Sequence, residues 1–301
     1  MSELADRPRL RIGIGLAPDV VRLDRSRLVE LIDRVNESAI DHVVVTDHVS
    51  FRGGRGQDGL SALHYLAGLG VERELHAGVL ILPLRHPTLV ARQLLDLADV
   101  HAPGVVAGVG LGGDDPAEYS MVGMRSTERG SRMDEGVDLL LDLLGQHRSL
   151  AGEGHYPVEG PGLERGDGRR VPVLVGGRVE ASLRRAARAD GWLGTFCSAQ
   201  RFGSSGEHVR SLDPAAVLGY QAWTGVGRDG RARADEQIHR FYGLRPEPFR
   251  RYVPVGDPAD VVAHLEPYVA AGASVLNLFP AGEPEAGVDH LSAVATALHT
   301  G

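Results

Sequence analysis

Along the chain, short apolar runs alternate with longer stretches in which apolar residues recur every three or four positions. The short runs lie at 10–16, 42–46, 75–82, 104–111, 171–175, 191–196, 216–223 and 274–279. They are rich in Val, Leu and Gly and lack strict alternation, as in strands buried on both faces of a parallel sheet. Between them, 24–38, 60–69, 88–101, 126–145, 180–189, 231–242, 256–271 and 288–299 read as helices. Leu28, Leu31, Ile32 and Val35 share one helical face, and Val90, Leu94, Leu97 and Ala98 another. Met133, Val137, Leu140, Leu141 and Leu144 make a third. Start signals agree with the periodicity. Asp24 precedes the first helix, Ser126-Thr127-Glu128 offers capping chemistry, and Gly256-Asp257-Pro258 puts an acid at the cap and proline in the first turn.

Eight strands alternating with helices over 301 residues predict an α/β fold, a TIM-like (β/α)8 barrel with loop insertions, in one domain spanning 1–301. The alternative is an open doubly wound sheet, which wants G-x-G-x-x-G directly after its first strand. Here Gly13 and Gly15 are followed by Pro18 where the third glycine belongs. Strings of that form beginning at Gly54, Gly108 and Gly225 lie in a loop, inside a strand and after the seventh strand, so the barrel is favoured. Polar, Gly-rich stretches at 50–59 and 198–206 read as loops over a site, the first as a mobile flap, and 147–170 as a surface excursion.

Composition narrows the chemistry. A net charge of −8 argues against a nucleic-acid surface. No run of about 18 apolar residues occurs, so no membrane span is expected. The acidic N-terminus is not a secretory signal, which makes a cytoplasmic protein the expectation. Cys197 is the only cysteine, which excludes an internal disulfide and a Cys-rich zinc site, and it reads as a buried bystander. Every basic side chain is Arg or His; with no lysine there is no Schiff base, no pyridoxal phosphate linkage and no P-loop. The 13 histidines form no H-x-x-x-H or H-E-x-x-H, so no metal site is expected. His86, His101, His147 and His155 read as solvated. No G-x-S-x-G elbow is present.

Two constellations remain. Val43-Val44-Val45-Thr46-Asp47-His48 ends an apolar strand in an acid and an imidazole, at the carboxyl end where a barrel places its chemistry. His48 suits proton transfer near neutrality. Asp47 either orients it or binds backbone amides of the next loop; the bland alternative is a strand terminator beside a surface histidine. Gly176-Gly177-Arg178 precedes a helix and either receives an anion or makes an ordinary turn. The strand at 75–82 carries no charge near its end, so it packs, or presents backbone and apolar surface to a ring.

These stretches resemble the bacterial luciferase-like flavin and deazaflavin oxidoreductases over nearly the whole chain. The likeness rests on VVVTDH (43–48), GVLILPLRHPTLVARQ (78–93), GVGLGGDDPAEY (108–119), ERGSRMDE (128–135), VPVLVGG (171–177), RRAARADGWL (184–193) and GDPADVVAHLEPYVAAGASVLNL (256–278). The resemblance implies a barrel binding FMN or the deazaflavin F420 at the strand carboxyl ends. Gly78-Val79 would be a non-proline cis peptide backing the ring, with Ile81 beside it. Gly110, Gly112 and Gly113 would line the ring or its side chain, and Gly176, Gly177 and Arg178 would hold the phosphate. His48 and Asp47 would stand at the reactive edge as catalytic and cofactor-binding residues. Asp-His, in place of Glu-His, looks more like the F420 branch. Where the family usually has Ser-Gly-Gly-Arg, this chain has His101-Ala102-Pro103-Gly104. The absence of lysine argues against a sugar phosphate. The implied function is hydride transfer to or from a small organic substrate by a homodimer. Alternatives are an FMN-dependent monooxygenase activating dioxygen, a non-catalytic flavin-binding subunit, or a barrel hydrolase without a redox cofactor.

Overall fold

A computed structural model describes residues 9–300 other than 114, 146–149, 153, 165, 167 and 168. Eight parallel strands form the centre: β1 (Arg11–Leu16), β2 (His42–Val45), β3 (Glu74–Ile81), β4 (Val105–Gly110), β5 (Val173–Gly176), β6 (Gly191–Thr195), β7 (Val217–Val226) and β8 (Val275–Ala281). Each pairs with its neighbour in sequence, and β8 also pairs with β1, so the sheet closes into a barrel. Closure gives each of the eight strands a partner on both sides. A two-residue strand, Val255–Gly256, extends the sheet beside the end of β7.

Eight helices follow the strands in turn: α1 (Arg25–Glu37), α2 (Gly59–Gly68), α3 (Pro87–Val100), α4 (Arg129–Leu144), α5 (Glu180–Ala186), α6 (Ala199–Leu212), α7 (Pro258–Ala270) and α8 (Pro284–Thr300). Their apolar faces are those the periodicity marks: Leu28, Leu31, Ile32 and Val35 of α1 are all buried. Asp24 accepts the amide of Arg27, and Asp257 with Asp260 completes a reciprocal capping box. Glu128 caps α4 without a side-chain hydrogen bond. Insertions sit at strand carboxyl ends, among them short helices Pro18–Val21 and Pro116–Ser120 and the longer helix Gly230–Tyr242.

Three expectations change. Residues 198–206 are not a loop. Ser198 caps α6 by accepting the amide of Arg201, and Gly206 lies where a Cβ would come within 2.5 Å of Leu218. Small residues that permit this close helix–strand approach also imitate loop composition. Residues 48–57 are an antiparallel hairpin, His48–Phe51 against Arg55–Gln57, turning through Arg52, Gly53 and Gly54 at φ of 38°, 86° and 83°. His101 is not solvated: it is buried, and its Nε2 lies 2.9 Å from the Arg73 carbonyl oxygen. His86 lies at the start of α3 and accepts the Thr88 amide, while His155 lies 2.8 Å from the Ser131 hydroxyl. His147 lies outside the described residues. In the excursion that contains it, Leu150–Gly152 and Val158–Gly160 form a short hairpin. Cys197 is buried, and burial pushes its thiol up to about 11.

The β6–β7 seam supplies a test. Gly191 has φ +156°, and a Cβ there would stand 2.1 Å from the Val217 carbonyl oxygen. Gly191→Ala should lower stability by at least ~2 kcal/mol in urea melts. Gly203→Ala, inside α6 with 3.4 Å to the nearest atom, should raise it by about 0.5–1 kcal/mol.

Candidate active site

Asp47 is buried where β2 runs out, 2% exposed. Its Oδ1 accepts the Gly59 amide at 2.9 Å and its Oδ2 the Ile81 amide at 2.8 Å. The Arg85 guanidinium grips both oxygens, at 2.6 and 2.7 Å, and also reaches Asp58 at 2.7 Å. Burial pushes the Asp47 carboxyl upward, against the pull of Arg85 and the two amides. The same carboxylates keep Arg85 cationic. Of the two roles open to Asp47 in the sequence, the structure selects the second: it binds amides of the following segments and does not orient His48.

The carboxylate that orients His48 is Glu118, fully buried on the short helix Pro116–Ser120. Its two oxygens lie 3.0 and 3.1 Å from His48 Nδ1, and Oε1 also accepts the Val49 amide at 2.8 Å. A carboxylate on Nδ1 favours the tautomer that carries its proton there and leaves Nε2 for a ligand. His48 stacks on Phe51 at 4.3 Å and meets Phe241 edge-on at 5.7 Å. Sequence reading passed over Glu118 because its contact lies 70 positions away. Asp115-Pro116, an acid cap followed by proline, was the available signal of a helix there.

Gly78-Val79 is a cis peptide, as the resemblance implied. The β3–β4 register shifts there, between Ala77 and Leu80. A Cβ on Gly78 would meet Gln221 and Val44 at 2.6 Å each. The Val79 side chain points into the barrel, where Cβ atoms on Gly108, Gly110 and Gly176 would stand 3.2, 2.7 and 3.3 Å from it. Gly110 and Gly176 are thus bare first of all to seat Val79. Ile81 is buried and tied to Asp47 through its amide.

Gly112 is exposed with φ +81°, and the Gly113 carbonyl accepts the Tyr119 hydroxyl at 2.8 Å. Gly177 has φ +140°, and its carbonyl accepts the Trp192 indole N–H at 2.7 Å. Arg178 is exposed and reaches the Phe196 carbonyl at 3.3 Å. The carboxyl ends of β2, β3, β4 and β5 therefore present all the singled-out residues at one mouth. Backbone without side chains at Gly112 and Gly177 fits the approach of a planar ring and an anionic tail. No group of three or more His, Cys, Asp or Glu that could hold a metal occurs among the described residues.

Beneath the mouth runs a polar column that the sequence did not reveal. Gln221 Nε2 donates to the Gly78 carbonyl at 2.9 Å, and Asn277 Nδ2 donates to Gln221 Oε1 at 3.3 Å. His42 Nε2 lies 2.8 Å from Asn277 Oδ1, and its ring stacks on His76 at 3.9 Å. His76 Nε2 in turn lies 3.2 Å from Glu74, which pairs with Arg11. Burial holds both imidazoles well below the usual histidine range.

The family model for luciferase-like monooxygenase matches residues 11–248. An uncharacterized protein of Mycobacterium tuberculosis is 39% identical over 116 residues, which cover 38% of this chain and 40% of the relative's length. A monooxygenase from Streptomyces bottropensis superposes with a TM-score of 0.79 at 19% identity, covering 96% of this chain and 98% of its own. An F420-dependent secondary alcohol dehydrogenase, in complex with an F420-acetone adduct, gives 0.74 at 16%, covering 95% and 99%. The FMN complex of the oxygenating constituent of 3,6-diketocamphane monooxygenase from Pseudomonas putida gives 0.73 at 13%, covering 97% and 98%. At these identities the structural likeness is one of fold.

Two measurements follow from the buried charges. Arg85→Met leaves Asp47 buried without its counter-charge and should cost about 3–5 kcal/mol, whereas the Asp47→Asn, Arg85→Met pair should recover part of that loss in a double-mutant cycle. Because His42 and His76 stay neutral when folded, the unfolded chain binds more protons below pH ~6.5. Stability should therefore be full above that pH and fall on acidification, with each histidine contributing up to ~1.4 kcal/mol per pH unit. H42Q should reduce the slope by about one proton; an unchanged slope would show that His42 is protonated when folded.

Proposed function

We propose that this chain, which belongs to the luciferase-like monooxygenase family, is an oxidoreductase that uses F420 or FMN, F420 by preference, on a small organic molecule. The observation that carries the reading is His48. It stands at the barrel mouth with Nδ1 fixed by the buried Glu118 and Nε2 left for a ligand, beside the strand that contains Gly78-Val79. When bound, a deazaflavin or flavin supplies two-electron hydride chemistry.

The chain's own residues then have separate tasks. His48 Nε2 takes or returns the proton that accompanies hydride transfer. Glu118 sets its tautomer and steadies the imidazolium that forms. Gly78, Val79 and Ile81 back the ring, with Asp47 holding Ile81 through its amide. Gly110, Gly112 and Gly113 line the ring or its side chain, and Gly176, Gly177 and Arg178 hold the phosphate. Gln221 fixes the direction of the Gly78 carbonyl beneath the ring. The Asp47-His48 pairing favours F420 over FMN through the family resemblance.

Titration with oxidised and reduced F420 and FMN, followed by absorbance and fluorescence, tests the assignment. Tight binding of F420 alone is the expected result. Binding of reduced FMN with oxygen uptake would replace the reading by a monooxygenase, and binding of neither would overturn it. Arg178→Ala should weaken cofactor binding about fivefold to tenfold with no loss of folded protein by circular dichroism.

A further inference from the structure

A cavity of about 300 Å³ opens beside His48, between the 48–57 hairpin and the helix Gly230–Tyr242. The cofactor reading gives it no task. Pro18, Phe51 and Phe241 make its walls apolar. Its floor is polar and shielded. Gln57 is 9% exposed and donates its amide nitrogen to the Thr46 carbonyl at 3.4 Å. That leaves Gln57 Oε1 buried without a hydrogen-bond partner, and Thr46 Oγ1 is in the same state. A buried carbonyl oxygen with no donor is costly, and Gln57 lines this cavity, so a turn of its amide toward a ligand donor would relieve that cost.

The rim is cationic. Arg22, Arg55 and Arg240 line it against one carboxylate, Asp19, which Arg240 already meets at 3.2 Å. Arg22 donates to the Gly56 carbonyl. The Arg55 guanidinium makes no hydrogen bond or ion pair among the described residues. A volume at the low end of the usual ~300–1,000 Å³ range selects a small ligand.

We propose that this cavity binds the substrate, and that the substrate is a small carboxylic acid with an apolar body and a hydroxyl group. The carboxylate sits on the arginine rim, the body lies against the wall made by Phe51 and Phe241, and the hydroxyl donates to Gln57 Oε1, which turns to meet it, beside His48. This rests on the placement of the reaction beside His48.

Calorimetry on the F420-saturated protein tests it, with 6-hydroxyhexanoate, hexanoate and hexane-1,6-diol as probes. Cofactor binding is read in the same samples by fluorescence. The hydroxy acid should bind at least about tenfold tighter than the diol, more weakly as salt rises, and Arg55→Ala should reduce the ratio to about threefold or less. Gln57→Leu should abolish the advantage of the hydroxy acid over hexanoate. The inference is overturned if the diol matches the acid, if the two variants leave the ratios unchanged, or if saturating F420 displaces the acid from the cavity. Failure of F420 to bind would instead remove the cofactor reading, and the same probes on the cofactor-free protein would still report on the cavity.

Discussion

A carboxylate taken out of water is tolerable only if its charge is matched and its lone pairs are filled, and Asp47 meets both conditions with groups from three parts of the chain. Arg85 supplies the charge and two hydrogen bonds, while Gly59 at the start of α2 and Ile81 at the end of β3 supply amides. Because these bonds converge on one side chain, the end of β2 has little freedom relative to its neighbours. The next residue after Asp47 is His48, and three residues before Ile81 is Gly78. The anchor thus fixes the separation of the imidazole from the backbone that lies beside it, without touching the imidazole at all. The orienting bond comes instead from β4's side, through Glu118. Two carboxylates divide between them what the sequence offered to one.

The column under the mouth obeys a similar logic of satisfied donors. A backbone carbonyl can only accept, so Gln221 must turn its nitrogen to Gly78. Its oxygen then faces Asn277, which must present nitrogen there and oxygen to His42. His42 consequently carries its proton on Nε2, and Nδ1 is left bare and buried. Both amide orientations and the His42 tautomer follow from the terminal acceptor. The imidazoles remain neutral because burial opposes their charging, so the column is consistent in one protonation state only. A protonated His42 would need a partner for Nδ1, and none is present among the described residues.

Much of the barrel was legible in the sequence because strands buried on both faces write themselves as apolar runs, and helices packed on one side write a period near 3.6. The ends of those runs located His48 and Gly176-Gly177, whereas Gly78-Val79 came from the family resemblance. What sequence could not carry was long-range partnership: Arg85 lies 38 positions from Asp47 and Glu118 lies 70 from His48. His42 and His76 were hidden for another reason. Each stands inside an apolar run, where a histidine at a strand position looks incidental, and only their stacking shows that they are a pair. α6 was misread because Gly203, Ser204, Ser205 and Gly206 suit both a loop and a helix pressed close to β7. Val79 explains two of the glycines that the resemblance assigned to a ring: Gly110 and Gly176 must be bare for its side chain to fit, whatever else approaches them.

His48 stands where two differently built halves of the mouth meet. Towards β3, β4 and β5 the surface is backbone and glycine, suited to a flat conjugated group and its anionic tail. Towards β1 and the helix Gly230–Tyr242 it is aromatic and aliphatic, with arginines at the rim. A hydride can pass only between groups in contact, so a catalyst for that transfer needs its two ligand surfaces to share an edge, with a proton carrier on that edge. On the proposed reading, that edge in this chain is the short segment from Thr46 to His48. Its shape is set by Asp47 below and Glu118 beside, which are themselves sealed from water. The hairpin that follows supplies Phe51 to stack on the imidazole and Gln57 to floor the second half. One stretch of about a dozen residues therefore carries His48, the Phe51 ring stacked on it and Gln57 of the adjoining cavity. That explains why so short an apolar strand ending in two polar residues could announce the site before any of its partners were known.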